Sequence, residues 1–399
     1  MDRRLSDYYE RELRHIRETA HEFSKEHPKI ASRLALDEFE CADPYVERLL
    51  EGFAFLSARV QLKLDAEFPR FTQHLLEAVY PHYLCPTPSM CMVQINPDLE
   101  DSGLASGFTV PRNTALRGSM GKSDQTACEY RTAHEITLAP IELVEAQYHD
   151  RDLLSLDLPK DVKASAVLRL RLRASAGLLF EEIEVDTLPV FFRGTDSIPG
   201  RLYERLVAHT TGILVRSTAR PPAWTIRLNP KSCLRQLGFR DDEALLPTGP
   251  RSFAGYRHLQ EYFAFPERFH MVEVSGLRRA FKRCDAPMIE LLFVLDEGDP
   301  DLEQAVDASS FALHCTPAIN LFPKRCDRIH VTERFHEFHV VPDRTRPLDY
   351  EVYDIASVTG IGGTSTTNAS SARSIRPATW TTRPTRAARS STPPACSAP

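Results

Sequence analysis

One amphipathic stretch, residues 43–84, constrains the fold more than any other part of the 399-residue chain. Asp43 is a residue type preferred at a helix N-cap, and Pro44 then falls at the first helical position, where its missing N–H is not needed. Apolar residues follow at steps of three or four and form one stripe along the predicted helix: Val46, Leu49, Phe53, Leu56, Val60 and Leu64. Burying six such side chains would contribute roughly 10–18 kcal/mol before conformational entropy is counted. This stretch is therefore predicted to hold surfaces together.

A proline interrupts the pattern. Pro69 would remove a helical hydrogen bond and clash with the preceding turn, so we expect the helix to end or kink near Glu67. A shorter helix can restart there and stop at Pro81. Nothing on either segment indicates catalysis.

A second amphipathic helix is predicted from Leu5 to Glu26, ending before Pro28. Its apolar residues have the 4, 3, 4, 3 spacing of a coiled-coil seam: Tyr9, Leu13, Ile16, Ala20 and Phe23. Two successive amphipathic helices with charged backs predict a helical bundle. So narrow a seam can be completed by this chain or by another chain.

After residue 84 the pattern changes to short strands. The clearest is 166–173, AVLRLRLR, where three leucines point one way and Arg169, Arg171 and Arg173 the other. Such a row could bind a phosphate or a nucleic-acid backbone. With a net charge of −6 and no wider basic patch, we favour a solvated face, or pairing with acids on a neighbouring strand such as 181–186. Residues 288–296, MIELLFVLD, predict a strand buried on both faces.

Composition excludes several classes of protein. Hydrophobic content of 42% and charged content of 26% are ordinary for a globular protein. No apolar run reaches the eighteen or so residues of a spanning helix, and the charged N-terminus lacks the apolar segment of a signal peptide. The nine cysteines are scattered without a CxxC pair, so reduced thiols and a cytoplasmic protein are expected.

A search for catalytic and metal-binding motifs yields no site. The phosphate-binding loop GxxxxGK[ST], the GxSxG elbow and HExxH are all missing from the sequence. His336 and His339 are three residues apart, but FHEFHVV is typical of a strand, where the two would face opposite sides. The adjacent His314 and Cys315 are no more persuasive. We therefore predict no catalytic, cofactor-binding or metal-binding residues and no enzymatic activity.

The last segment differs in composition from the rest. Residues 362–399 contain no Asp, Glu or Lys, five Arg, and mostly Thr, Ala, Ser and Pro. A GC-rich gene read out of frame yields such a composition, and so does a natural disordered tail. We favour the frameshift because the family resemblance described next is expected to stop at this point.

Long segments of the chain closely resemble the TssF (ImpG/VasA) family of type VI secretion baseplate subunits. They are, in order, YYERELRHIRETAHEFSKEHPKIASRL, ECADPYVERLLEGFAFLSARVQLKLDAEFPRFTQHLLEAVYPHYLCPTPSM, GFTVPRNTALR, GYRHLQEYFAFPERF and NLFPKRCDRIHVTERFHEFHVVPDRTRPLDYEVYDIASVTGIG. The resemblance covers Asp7 to about Gly362, and family members usually continue in frame well beyond that.

The resemblance implies a structural protein of the baseplate wedge of a contractile tail, similar to phage wedge proteins. The expected partners are a second TssF copy, TssG and, through the wedge, TssK, TssE and the VgrG spike. Nucleic acid and direct membrane insertion are not expected, and the family has no cofactor or catalytic residues to transfer. The expected location is the cytoplasm, at the inner face of the inner membrane in the assembled state.

We therefore predict an α+β protein, with an N-terminal helical region followed by β-rich domains with a few short helices. Residues 1–85 form the helical assembly region, 86–220 and 221–361 two β-rich domains, and 362–399 a disordered tail.

The candidate interface residues are Tyr9, Leu13, Ile16 and Phe23 on the first helix, and Phe53, Leu56 and Val60 on the second. For the second stripe we expect packing inside its own subunit, since most apolar helix faces serve the local core. Two other functions stay open. The chain could be a hydrolase whose two carboxylates meet only in the fold, or a non-functional truncated remnant.

Overall fold

The computed structural model divides the chain into two compact units, residues 1–322 and 323–399. The structure describes residues 4–33, 43–98, 100–121, 126–195, 197–247, 249, 252–332 and 334–360. The tail predicted for 362–399 lies outside these residues.

Both predicted N-terminal helices are present. Helix α1 spans Arg4–Glu26, a short α2 spans Pro28–Arg33, and α3 spans Pro44–Val79. As the sequence predicts, the Asp43 carboxylate caps α3 by accepting a hydrogen bond of 2.9 Å from the backbone N–H of Tyr45.

Pro69 does not end α3, so of the two predicted outcomes, an end or a kink near Glu67, the end is wrong. The helix continues for ten residues beyond the proline as one 36-residue element. The proline removes the one helical hydrogen bond that its missing N–H would donate. The helix remains continuous because strong helix formers such as Ala66, Glu67 and Arg70 lie on both sides.

The rest of the first unit contains fifteen strands and five short helices in the part of the chain that the structure describes. The strands are β1 (Met90–Gln94), β2 (Phe108–Val110), β3 (Ala115–Arg117), β4 (Glu129–Thr132), β5 (Ile136–Leu138), β6 (Ile141–His149), β7 (Ala166–Ala174), β8 (Leu188–Phe192), β9 (Thr210–Ser217), β10 (Thr225–Leu228), β11 (Leu234–Gln236), β12 (Met271–Val274), β13 (Met288–Leu295), β14 (Phe311–Leu313) and β15 (Cys315–Ile319). The helices are α4 (Ile198–Ala208), α5 (Pro230–Cys233), α6 (Ala254–Ala264), α7 (Arg278–Phe281) and α8 (Pro300–Ala305). The predicted α+β class is confirmed.

All the paired strands are antiparallel. The largest sheet has the order β10-β9-β13-β7-β6, and two four-stranded sheets have the orders β11-β12-β8-β14 and β1-β15-β4-β3. Apolar side chains of the five-stranded sheet and of β8 and β12 form the main core, which also takes Leu202 and Leu206 from α4. This two-sheet packing provides the rigid β-rich body.

Strand β13 lies at the centre of the largest sheet. Seven of its eight residues are buried, which confirms the strand predicted to be buried on both faces. It pairs with β7 on one side and β9 on the other. The sheet therefore combines strands from both sides of residue 220, and a domain boundary there would cut through it.

The described part of the second unit, 323–332 and 334–360, contains turns and extended chain without an assigned helix or strand. The predicted strand at FHEFHVV is not formed, because no strand within 323–332 and 334–360 supplies the hydrogen bonds of a ladder. His336 and His339 are both exposed. Within this unit, Lys324 lies 3.9 Å from the centre of the Tyr350 ring and 3.6 Å from the Asp343 carboxylate.

Candidate assembly surface on the N-terminal helices

Helices α1 and α3 form an antiparallel hairpin. Ser57 donates a hydrogen bond of 2.7 Å to the Glu12 carboxylate, and the Tyr8 hydroxyl donates to Asp65. Toward the other end, a guanidinium nitrogen of Arg17 lies 3.5 Å from the Glu47 carboxylate. The residue numbers increase along α1 while those of the partners on α3 decrease, as expected for antiparallel helices. The hydrogen bond to Asp65 raises the pKa of Tyr8, so the phenol stays protonated.

The side of α3 that is fully buried is made of small residues. Ala54 and Ala58 lie one turn apart and are both completely buried, and α1 is the element with which α3 makes its most extensive contact. Small side chains let two helix backbones approach closely. The predicted seam of α1 is half-buried throughout: Tyr9, Leu13, Ile16 and Phe23. At least part of that seam is therefore used within this chain.

The large apolar residues of α3 are exposed. Nine of them keep between 43% and 73% of their surface: Leu49, Phe53, Leu56, Val60, Leu64, Phe68, Phe71, Leu75 and Val79. We call these nine residues the α3 stripe. The expectation that this face packs inside its own subunit is wrong for the described chain, because α3 turns its alanines toward α1 and its large side chains outward. The predicted candidates Phe53, Leu56 and Val60 lie within the stripe.

Six members of the α3 stripe were not among the predicted interface residues. All six carry the expected spacing of three or four residues, but the end or kink predicted at Pro69 divided the pattern, so its full length was not recognised. The stripe runs from Leu49 to Val79, about 45 Å at 1.5 Å per residue. A continuous exposed apolar surface of this size marks an interaction site.

The spacing of the stripe limits what can cover it. Its members recur after 11 residues, as in Leu49, Val60 and Phe71, with Phe53, Leu64 and Leu75 repeating the same interval. An 11-residue repeat has 3.67 residues per turn, close to the 3.6 of an undistorted helix, and drifts in the right-handed sense. The stripe therefore runs almost straight along α3 and fits a long, nearly straight partner helix.

The C-terminal end of α3 is fixed to the β-rich body. Tyr80, its C-cap residue, is buried, donates a hydrogen bond of 2.6 Å to the Gln260 side chain of α6 and packs against the Tyr256 ring. Burial raises the pKa of the Tyr80 hydroxyl and keeps it a donor. This contact sets the position of one end of the helix.

Helix α6 is in turn held by buried charges. The fully buried Glu261 carboxylate accepts hydrogen bonds of 3.0 and 2.8 Å from the backbone N–H groups of Leu245 and Leu246, and it pairs with Arg268. Burial lowers the pKa of Arg268 to about 9, which still leaves it charged at neutral pH. Breaking such a buried pair is costly, so α6 is held firmly in place and fixes the end of α3 that contacts it.

The remaining residues singled out in the sequence lie elsewhere. His314 and Cys315 are buried between strands, where burial lowers the pKa of His314 to about 4 and raises that of Cys315 to about 12. The His314 ring accepts a long hydrogen bond of 3.4 Å from the backbone N–H of Ala139. Among the described residues, no group of three or more His, Cys, Asp or Glu is placed to hold a metal ion.

The arginine row of β7 pairs with acids, but not with those of 181–186. That segment is not a strand. Arg173 instead binds Glu142 of β6 at 2.5 Å, and Arg171 binds Glu145 of β6 at 2.5 Å and Glu290 of β13 at 2.9 Å. These acids are 24 or more residues away in sequence, so local reading could not find them.

A β-rich body that carries a long helix with an exposed apolar stripe is typical of a protein that assembles with other proteins. The comparisons agree. The family model described as "Type VI secretion system, TssF" matches residues 1–392, so this chain belongs to the TssF family. The match continues past Gly362, where we expected the resemblance to stop.

Two related proteins place the chain more closely. It is 55% identical over 357 residues to the type VI secretion system component TssF1 of Pseudomonas aeruginosa; the match covers 89% of this chain and 57% of that protein. It also matches a chain of the TssK-TssF-TssG baseplate subcomplex of the type VI secretion system, solved by cryo-electron microscopy, with a TM-score of 0.63 and 26% identity. That match covers 79% of this chain and 57% of the other. The chain thus spans a little over half the length of these relatives.

Proposed function

We propose that this chain is a structural component of the type VI secretion baseplate wedge, which scaffolds assembly of the contractile tail through protein–protein interfaces. The observation that carries the proposal is the α3 stripe, a straight apolar surface about 45 Å long on a helix anchored to a rigid body. Membership of the TssF family supports it, since TssF is a structural baseplate component.

The energetics of the α3 stripe favour a permanent partner. Each of the nine side chains keeps about half of its surface exposed, so covering all nine would contribute on the order of 10 kcal/mol before the costs of association. The right-handed 11-residue repeat favours a helix as the covering element. Partner helices laid along α3 would continue the bundle that α1 begins.

The related complex contains TssK and TssG, and we propose TssG as the partner that lies on the α3 stripe. A second copy of TssF, together with TssE and the VgrG spike reached through the wedge, completes the proposed set. The proposed location is the cytoplasm, at the inner face of the inner membrane. In the described part of the chain, no helix has both the length and the apolar character needed to cross a bilayer.

We further infer that the chain catalyses no reaction. A hydrolase of the kind considered from the sequence needs a carboxyl whose pKa is raised. Burial alone would raise the pKa of Glu290, but hydrogen bonds and charges from Arg171 and Arg216 lower it. Glu243 is lowered in the same way, with burial outweighed by Arg235 and the Gly238 N–H. These two buried acids are structural ion-pair partners.

The test is copurification with a co-expressed TssG-type partner. Leu56→Asp places a charge in the middle of the α3 stripe and should abolish copurification, because the charge would have to be buried unpaired. Arg59→Asp is the matched control, since Arg59 is exposed on the same helix but is not a member of the α3 stripe. Equal copurification of the wild type, Leu56→Asp and Arg59→Asp would remove the stripe from the interface.

The same experiment decides between the two helices. Leu13→Asp on the half-buried seam of α1 should lower the melting temperature as well as partner binding. Leu56→Asp should reduce binding alone. If only Leu13→Asp affects binding, the α1 seam is the partner surface.

A further inference from the structure

A row of alternating charges crosses the five-stranded sheet on the face opposite the main core. In strand register, Glu145 of β6 stands beside Arg171 of β7, then Glu290 of β13 and Arg216 of β9. Arg216 and Glu290 are fully buried, and Arg216 Nε donates a hydrogen bond of 2.9 Å to Glu290. Opposite charges on directly adjacent strands stabilise the sheet.

Three further arginines join this row. Arg169 binds Glu145 at 2.9 Å, Arg173 binds Glu142 at 2.5 Å, and Arg220 approaches Glu290 at 3.2 Å. The face thus brings five guanidinium groups to three carboxylates: Arg169, Arg171, Arg173, Arg216 and Arg220 with Glu142, Glu145 and Glu290. Two positive charges are left over.

The acceptor capacity of the shared acids is already used. Glu290 accepts hydrogen bonds from Arg171, Arg216 and Arg220 at 2.9 to 3.4 Å. A carboxylate has about four lone-pair sites, whereas each guanidinium has five N–H groups. The Nε atoms of Arg169 and Arg171 are buried without a hydrogen-bond partner. Hydrogen-bond donors on this face therefore outnumber acceptors, just as positive charges outnumber negative charges.

One half of the face is covered and the other is open. Leu156, with Leu153, Leu158 and Val162, packs over Leu292 and Val294, and the Leu156 carbonyl accepts a hydrogen bond of 2.5 Å from Arg216. On the open half, Arg173 and Arg220 keep 53% and 34% of their side chains exposed. The surplus positive charge therefore faces outward.

We propose that the open half of this face binds an acidic segment of another protein, whose carboxylates pair with Arg173, Arg220 and the exposed part of Arg171. The charge count sets how many acidic side chains the segment supplies. Two added carboxylates, together with the three already present, would balance the five guanidinium groups. Guanidinium groups bind carboxylates in bidentate geometry, which suits side chains of Glu or Asp. Glu142 and Glu145 within the patch, and a chain charge of −6, disfavour a phosphate polymer. The proposal does not depend on the α3 stripe.

The experiment uses the full chain and a fluorescein-labelled peptide of alternating Glu and Ser, followed by fluorescence anisotropy at about 50 mM salt, where surface charge pairs are weakly screened. The wild type should bind saturably and lose affinity as salt is added, whereas a Gln–Ser peptide should not bind. The variant Arg173→Glu/Arg220→Glu should weaken binding by about tenfold or more, because both exposed charge-assisted contacts are lost.

Arg240→Glu is the matched control. Arg240 is similarly exposed and pairs with Asp242 at 2.8 Å away from this sheet. Its reversal changes the net charge as much as Arg173→Glu or Arg220→Glu alone, and it should leave binding unchanged whereas each of those single variants weakens it. Arg173→Gln/Arg220→Gln repeats the test without charge reversal, and thermal melting verifies that each variant is folded. Absence of saturable binding, or equal weakening by Arg240→Glu, overturns the proposal. Tighter binding of inorganic phosphate or of a duplex oligonucleotide than of the peptide overturns it as well.

Discussion

The α1–α3 hairpin and the β-rich body use apolar and charged residues in opposite ways. In the body, leucines and phenylalanines fill the core and a row of ion pairs spans the outer face of the largest sheet. In the hairpin, two alanines make the fully buried face of α3 and nine large apolar residues are exposed. The difference teaches that the body completes its own core, whereas the hairpin leaves an apolar surface exposed, which under the proposed function a partner chain covers.

The strongest test of this comparison removes a buried charge from the body. Glu290→Ala leaves the buried Arg216 without its carboxylate and should lower the free energy of unfolding by about 3–5 kcal/mol in urea denaturation. Glu142→Ala, whose partner Arg173 is half-exposed, should cost less than about 1 kcal/mol. Equal effects of the two substitutions would mean that the ion pairs of the body contribute no more than surface pairs.

Acid should weaken the body in a predictable window. Burial lowers the pKa of His314 to about 4, so the folded protein keeps the ring neutral while the unfolded chain binds a proton below about pH 6.5. The stability from this residue is complete above pH 6.5 and falls as the pH drops toward 4, by roughly 3 kcal/mol.

His314→Asn tests this pH dependence. The backbone at 314 has a φ of 57°, a left-handed conformation that Asn tolerates. The pH dependence of the unfolding free energy should shrink without vanishing, because burial also lowers the pKa of His134 to about 4. An unchanged pH profile would show that His314 is not the titrating group.

A smaller effect is expected where the two helices meet. Ala58→Leu inserts a large side chain at the fully buried position of α3 and should destabilise the protein by about 1–3 kcal/mol. Ala66→Leu, the same enlargement at an exposed position of α3, is the control and should be neutral in thermal melting. If both variants melt alike, the alanine face is not the packed face of α3.

The smallest expected effect on stability sharpens the comparison most. Phe53→Asp, in the α3 stripe, should change the free energy of unfolding of the isolated chain by no more than about 0.5 kcal/mol. The side chain is 63% exposed, so the new charge remains hydrated. A loss of several kcal/mol would mean that the stripe is buried within this chain.

Local features were predictable because their causes are local. The cap at Asp43 and the spacing along α1 and α3 identified both helices, and the period of two in 166–173 identified β7. Predictions that needed a spatial neighbour failed. Residues 335–341 have a strand-like pattern, but no strand of the described chain pairs with them, and the acids that pair with the β7 arginines come from β6 and β13.

The sequence by itself determined that α3 is amphipathic and that the chain resembles TssF, because the spacing and the identity of residues are properties of the primary sequence. Only the tertiary structure decided which side of α3 is covered. A stripe of large residues and a face of alanines are both compatible with burial, and the choice depends on how closely α1 can approach. The alanines allow that approach, so the larger residues lie outside.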